Sequence, residues 1–172
     1  MHAHGTPIYV RAHSAIINPY AAHIPKEDGG HLLVMPKRCV SDRTQLTAAE
    51  LLEIDYLTII SASILRHFLG VNWINYQENG NWSLDESAVQ HMHFHVYGRK
   101  RGSQSQAFGE ALRFPLKGQK HLVSFPPFAE GQVREIQLWI TAFRKADSNV
   151  QFERAIEALG DSMRSGFQPG ST

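Results

Sequence analysis

The sequence predicts an α+β fold: an antiparallel sheet of about five strands, one main helix after the first hairpin, and a helical C-terminal extension. Three observations predict it. Short apolar runs bounded by glycine, proline and asparagine recur through the first hundred residues, the pattern of strands joined by turns. A longer segment between Thr47 and Gly70 carries its apolar residues at helical spacing. The stretch His91-Met92-His93-Phe94-His95-Val96 alternates strictly between imidazole and apolar residue, as a half-buried strand does.

Ile8-Tyr9-Val10 and Ala15-Ile16-Ile17 read as the first strand pieces, and Asn18-Pro19 as a turn. Tyr20 to Ile24 reads as a further strand. Lys26-Glu27-Asp28-Gly29-Gly30 is a polar hairpin loop leading into the apolar strand His31–Met35, which Pro36-Lys37-Arg38 closes. The helix opens with a capping box, Thr47 as N-cap and Glu50 at the third helical position. Ile54, Leu57, Ile64, Leu65 and Phe68 form its apolar stripe, and Gly70 stops it. Val71–Tyr76 follows as a strand, 78–86 as a polar loop, and the histidine strand runs to Gly98. Arg99-Lys100-Arg101 is a basic turn. Beyond it, Val133, Ile136, Ile140 and Phe143 make one helical stripe, and Phe152, Ile156, Leu159 and Met163 another. The chain thus divides into a core over 1–102 and an extension over 103–172 packed on the same domain.

Composition narrows the function. The 172 residues are 42% hydrophobic and 19% charged, which suits one globular domain. A net charge of +1 supplies no bulk attraction to nucleic acid or membrane, so a bound anion must be held locally. With Cys39 alone there is no disulfide framework and no cysteine-rich zinc site. Leu57–Leu69 is too short and too polar to span a bilayer, and the first residues lack a signal-type apolar core. The expectation is a cytoplasmic protein.

Three imidazoles on one strand face suggest chemistry. Neutral imidazoles ligate zinc, iron or copper. Successive histidines on a strand lie roughly 6–7 Å apart at the backbone, however, while zinc–nitrogen bonds are about 2 Å, so one ion reaches at most two of the three without a bend. An imidazole can instead attack phosphorus or an acyl centre, with the middle histidine as nucleophile and its neighbours donating to the oxygens. A structural role at a sheet edge is the third reading.

The triplet resembles the His-x-His-x-His motif of the histidine triad (HIT) superfamily. The likeness extends to Gly30-His31-Leu32-Leu33-Val34-Met35-Pro36-Lys37-Arg38 and to the helix opened by Leu46–Glu50, so that it covers about residues 15–100. It implies nucleotide hydrolysis or nucleotidyl transfer on an α+β fold, usually in a homodimer whose sheets join. His93 would attack the α-phosphorus and carry a nucleotidyl intermediate, His91 would orient it, His95 would contact phosphate oxygen, and His31 would support His91. No metal or other cofactor is implied. With His95 and Met92 where the transferase branch has other residues, the likeness favours a hydrolase acting on a diadenosine polyphosphate or a nucleoside phosphoramidate. Asn75, Gln77 and Asn79 are candidates for phosphate or ribose contact. The chain departs from the family before the triplet: Ala88 stands at the usual hydroxyl position, and Ser87 is the neighbouring hydroxyl that substitutes for it. It departs again at His23, eight residues before His31, where the family often has a ribose-contacting Asp or Asn, and no role is assigned to it. A nucleotide-binding protein with little hydrolysis and a metal-dependent enzyme are the alternatives.

Overall fold

Five strands of the computed structural model form one antiparallel sheet; the structure describes residues 5–78, 91–106, 109–113, 126–145 and 154. The strands are Gly5–Val10 (β1), Ser14–Pro19 (β2), His31–Pro36 (β3), Trp73–Glu78 (β4) and Phe94–Arg99 (β5), in the spatial order β1-β2-β3-β5-β4. Two helices follow the sequence pattern closely, Ala48–Leu69 (α1) and Glu130–Lys145 (α2).

Period-two alternation gives the sheet two different faces. Ile8, Ile16, Leu32, Val34, Phe94 and Val96 share the face that packs on Ile54, Leu57, Ile60, Ile64 and Leu65 of α1. On the other face Ala15, Ile17, Leu33 and Met35 form a second apolar cluster. His31, His95 and Tyr97 belong to that second face, because Leu33 is the registered partner of His95 and His31 that of Tyr97. The main core therefore lies on one side of β5 and the imidazoles on the other.

The capping box of α1 is formed in both directions: Thr47 accepts from the Glu50 N–H, and the Glu50 carboxylate accepts from the Thr47 N–H. Gly70 ends the helix in the left-handed region, φ 65°. A buried carboxylate then locks α1 to the β1–β2 turn. Glu53 Oε1 accepts from the His13 N–H (2.8 Å), the Ser14 N–H (2.7 Å) and the Ser14 hydroxyl (2.7 Å), with Arg11 Nε 3.5 Å from Oε2. Helix α2 contributes Val133, Ile136 and Ile140 to the same core as α1, and Gln137 donates to the Ile8 carbonyl of β1.

Two expected strands differ. Tyr20–Ile24 is a run of bends with a single bridge at Ala22 rather than a strand, so β2 pairs directly with β3 and residues 20–30 are the connection between them. The N–H groups of Asp28, Gly29 and Gly30 all converge on the Pro25 carbonyl, which curls the chain tightly before β3. The histidine strand also starts later than the alternation suggests. Phe94, partner of Val34, is the last residue that β3 pairs with, and His91–His93 precede the strand. That segment is held by the Met92 N–H, which donates to the Val40 carbonyl at 2.8 Å. The second C-terminal helical stripe, Phe152 to Met163, lies outside the described residues.

The Pro25–Gly30 curl is pinned across β5. The Gly98 N–H donates to the Gly30 carbonyl and the Lys100 N–H to the Asp28 carbonyl, each at 3.0 Å. The backbones approach so closely that a Cβ on Gly98 would lie 2.2 Å from the Gly29 carbonyl oxygen. Asp28 in turn accepts from the Gln104 and Ser105 N–H groups and from the Ser105 hydroxyl, tying the start of the extension to this curl.

Candidate functional site

The site is a column of rings on the sheet face opposite α1. His31 and His95 stand on neighbouring strands and are buried, with 1% and 4% of their surfaces exposed. Their rings are 5.1 Å apart, and His31 Nε2 lies 2.9 Å from His95 Nδ1. Tyr97, fully buried, stacks on both, at 4.5 Å from His31 and 5.3 Å from His95. His23, half-buried in the β2–β3 connection, adds its ring 4.8 Å from His31, and its Nδ1 lies 2.9 Å from the Tyr97 hydroxyl. The ring of His93 meets His95 edge-on at 4.7 Å.

Fixed donors and acceptors determine where the ring protons sit. A backbone N–H only donates, and a carbonyl only accepts. The His23 N–H is 3.2 Å from His31 Nδ1, so Nδ1 holds a lone pair and neutral His31 carries its hydrogen on Nε2. That hydrogen points at His95 Nδ1, which accepts, leaving neutral His95 with its hydrogen on Nε2. His93 Nδ1 lies 3.0 Å from the His91 carbonyl and donates to it, which leaves the lone pair of neutral His93 on Nε2. His91 Nε2 donates to the Pro36 carbonyl at 2.8 Å. The arrangement thus presents adjacent imidazoles of opposite character: a lone pair on His93 Nε2 and a hydrogen on His95 Nε2.

Burial keeps the inner rings neutral. The His95 pKa is pushed down to about 3, first by desolvation and then by the positive charge that His93 and His23 carry when protonated. His31 is held well below the usual histidine range, by burial first and then by His95, His23 and His93. His23 is lowered by the same two causes, burial and then His93.

The ring nitrogens of His23, His31 and His95 lie within 4.8 Å of one another, close enough to ask whether they hold a metal ion. As bonded, they form a relay instead. His31 has one lone pair, on Nδ1, and the His23 N–H occupies it. A metal on Nε2 would need a proton on Nδ1 facing that N–H, or an imidazolate.

Of the histidines named from sequence, His31, His93 and His95 come together, and His91 stands apart with its Nε2 on the Pro36 carbonyl. His31 supports His95 rather than His91. The β3–β5 register places His31 opposite Tyr97 and Leu33 opposite His95, so His91 lies far along the ladder from His31, beside Pro36. Asn75 and Gln77 are the registered partners of Tyr97 and His95 and so share their face. Asn75 also lines a cavity of about 380 Å³ with Trp73, Arg99, Lys100 and Gln106. Asn79 and Ser87, with Ala88, lie outside the described residues. In the basic turn, Arg99 donates to the Glu110 carbonyl and Lys100 to the Lys26 carbonyl, so both side chains clamp loops.

No protein-family model and no curated protein sequence matches this chain. Solved structures do. A hypothetical histidine triad nucleotide-binding protein from Sulfolobus tokodaii superposes with a TM-score of 0.56 at 14% identity, covering 83% of this chain and 88% of that one. A histidine triad protein from Sinorhizobium meliloti gives 0.53 at 19% identity, over 80% and 88% of the two chains. The chain has the HIT fold. A HIT-like protein involved in cell-cycle regulation from Bartonella henselae, solved with an unknown ligand, adds a TM-score of 0.51 at 16% identity over 77% and 84%. Within this HIT fold, sequence reasoning missed His23 and Tyr97. Tyr97 was signalled by the alternation itself, which continues from His95 onto the same face. His23 carried no periodic signal, because the irregular connection delivers it.

Proposed function

We propose that this chain binds a nucleotide through its phosphates at the histidine column and hydrolyses it through His93. The observation that carries the reading is the edge-on contact of the His93 and His95 rings at 4.7 Å, with hydrogen bonds at the Nδ1 atoms that assign a lone pair to His93 Nε2 and a hydrogen to His95 Nε2. His93 attacks the α-phosphorus, a phosphorus–nitrogen bond forms, and the bond to the leaving group breaks. His95 donates to a non-bridging oxygen as charge builds there. The His91 carbonyl holds the His93 Nδ1 hydrogen and favours the positive charge that the ring gains on attack. Water then takes the nucleotidyl group from His93, releasing a nucleoside monophosphate and regenerating the imidazole. Every step uses side chains and backbone of the chain itself. Gln77, beside His95, and Asn75 are the proposed phosphate or ribose contacts, together with Asn79 and Ser87.

The substrate class is a diadenosine polyphosphate or a nucleoside phosphoramidate, both of which present an α-phosphorus with a good leaving group. The relevant neighbour is the Sulfolobus tokodaii protein, described as nucleotide-binding. Ala88, which offers no hydroxyl, favours a second reading in which binding is retained and turnover is slow. A homodimer is the proposed assembly. The experiment is a panel of dinucleoside polyphosphates and phosphoramidates run with wild type and His93→Asn, with binding of adenosine monophosphate by calorimetry alongside. Turnover lost in the variant with binding retained supports the proposal. Binding without turnover in wild type supports the second reading, and neither binding nor turnover refutes both.

A further inference from the structure

We propose that Tyr97 and His23 are positioning residues that set the polarity of the histidine relay, so that His95 faces the substrate with a hydrogen rather than a lone pair. The inference rests on the proposed role of His95 as donor to phosphate. A hydrogen-bonded pair of neutral imidazoles has two polarities. In one, His31 donates from Nε2 and His95 keeps its hydrogen on its own Nε2. In the other, His31 carries its hydrogen on Nδ1, His95 donates from Nδ1, and His95 Nε2 is left with a lone pair. Only the first polarity favours a phosphate oxygen next to His95; the second sets two lone pairs against each other.

What selects between them is the His23 N–H, which demands an acceptor at His31 Nδ1. That N–H belongs to a connection of bends and turns rather than to a strand. The His23 side chain fixes it from the other end, with Nδ1 2.9 Å from the Tyr97 hydroxyl and the ring stacked on Tyr97 at 6.0 Å and on His95 at 5.3 Å. Tyr97 itself is rigid, being fully buried on β5 between His31 and the paired Asn75. The hydroxyl thus acts on His95 through two residues, His23 and His31.

The test is Tyr97→Phe in the full chain, which removes one oxygen and keeps the stacked ring, with His23→Ala as the second variant at a half-buried loop position. Long-range proton–nitrogen NMR reads the tautomers of His31 and His95 directly, without substrate. Wild type is expected to show His31 and His95 both protonated on Nε2, and both variants to show a mixture with Nδ1-protonated forms. On a substrate that wild type turns over, kcat should fall about tenfold in each variant, with KM changed less than threefold. The double variant should be no slower than the worse single one, because both act through one N–H. Wild-type tautomers in both variants would overturn the inference, whatever the activity. A wild type that shows the expected tautomers but no turnover would leave the relay standing and count against the proposed hydrolysis.

Discussion

Acid should destabilise this protein before its carboxylates begin to titrate. His31 and His95 are buried and neutral, with His95 held at about 3 and His31 well below its ordinary 6.5. In the unfolded chain both take up protons near pH 6.5, while the folded chain takes up neither until far lower. Stability therefore falls as pH drops below 6.5, and for His95 the loss continues to about 3. His95 alone costs about 1.2 kcal/mol between pH 6 and pH 5, and His31 adds a loss of the same sign. That is a large share of a typical total of about 5–15 kcal/mol. His23 is lowered as well and acts in the same direction. Glu50, whose pKa is drawn down from 4.5 to about 2, chiefly by the hydrogen bonds from Arg38, stabilises above 4.5 and loses that contribution only below it. The interval from pH 6 to pH 5 thus isolates the histidines. The assay is urea unfolding at pH 7, 6 and 5 with a constant m-value. His95→Asn should reduce the loss between pH 6 and pH 5 by about 1.2 kcal/mol. A stability flat across that interval, or a wild-type slope in His95→Asn, would refute the reasoning.

Two further substitutions test how the site is held. Glu53→Ala strands the His13 N–H and both Ser14 donors, of which Ser14 is fully buried; it should cost about 3–5 kcal/mol and lower Tm by roughly 10 °C, with Glu53→Gln recovering part of it. Calorimetry that finds the alanine variant within a degree of wild type contradicts this role. Gly98→Ala places a methyl group 2.2 Å from the Gly29 carbonyl oxygen and must push the Pro25–Gly30 curl off β5; a loss of more than about 2 kcal/mol is expected in urea unfolding. A variant as stable as wild type would mean that the two backbones do not approach as described.

Much of this fold is legible in the chain because local rules agree with one another. Thr47, Glu50 and Gly70 mark both ends of α1 within a residue. Alternation from Met92 to Tyr97 assigns each side chain of β5 to its face. Where the reading fails, the cause is non-local. Tyr20–Ile24 is apolar enough for a strand, but three N–H groups converging on Pro25 curl the chain that follows it. His91 alternates like a strand residue, yet β3 pairs with β5 no further than Val34 with Phe94, and residues 91–93 precede the strand. The pairing of His31 with His95 depends on the β3–β5 register, which no short motif encodes. His23 reaches the column only because the connection folds back over β3, and a lone histidine in such a segment carries no signal of its own.

The central claim is covalent chemistry at His93, and the most direct measurement is a search for the nucleotidyl adduct. Wild type is mixed with a substrate it turns over, quenched within one turnover in alkaline denaturant to spare the acid-labile phosphorus–nitrogen bond, digested, and read by mass spectrometry. The account predicts a nucleoside monophosphate mass on the peptide carrying His93, localised to that ring and absent from His93→Asn. Turnover with no adduct, or an adduct on another residue, would contradict it.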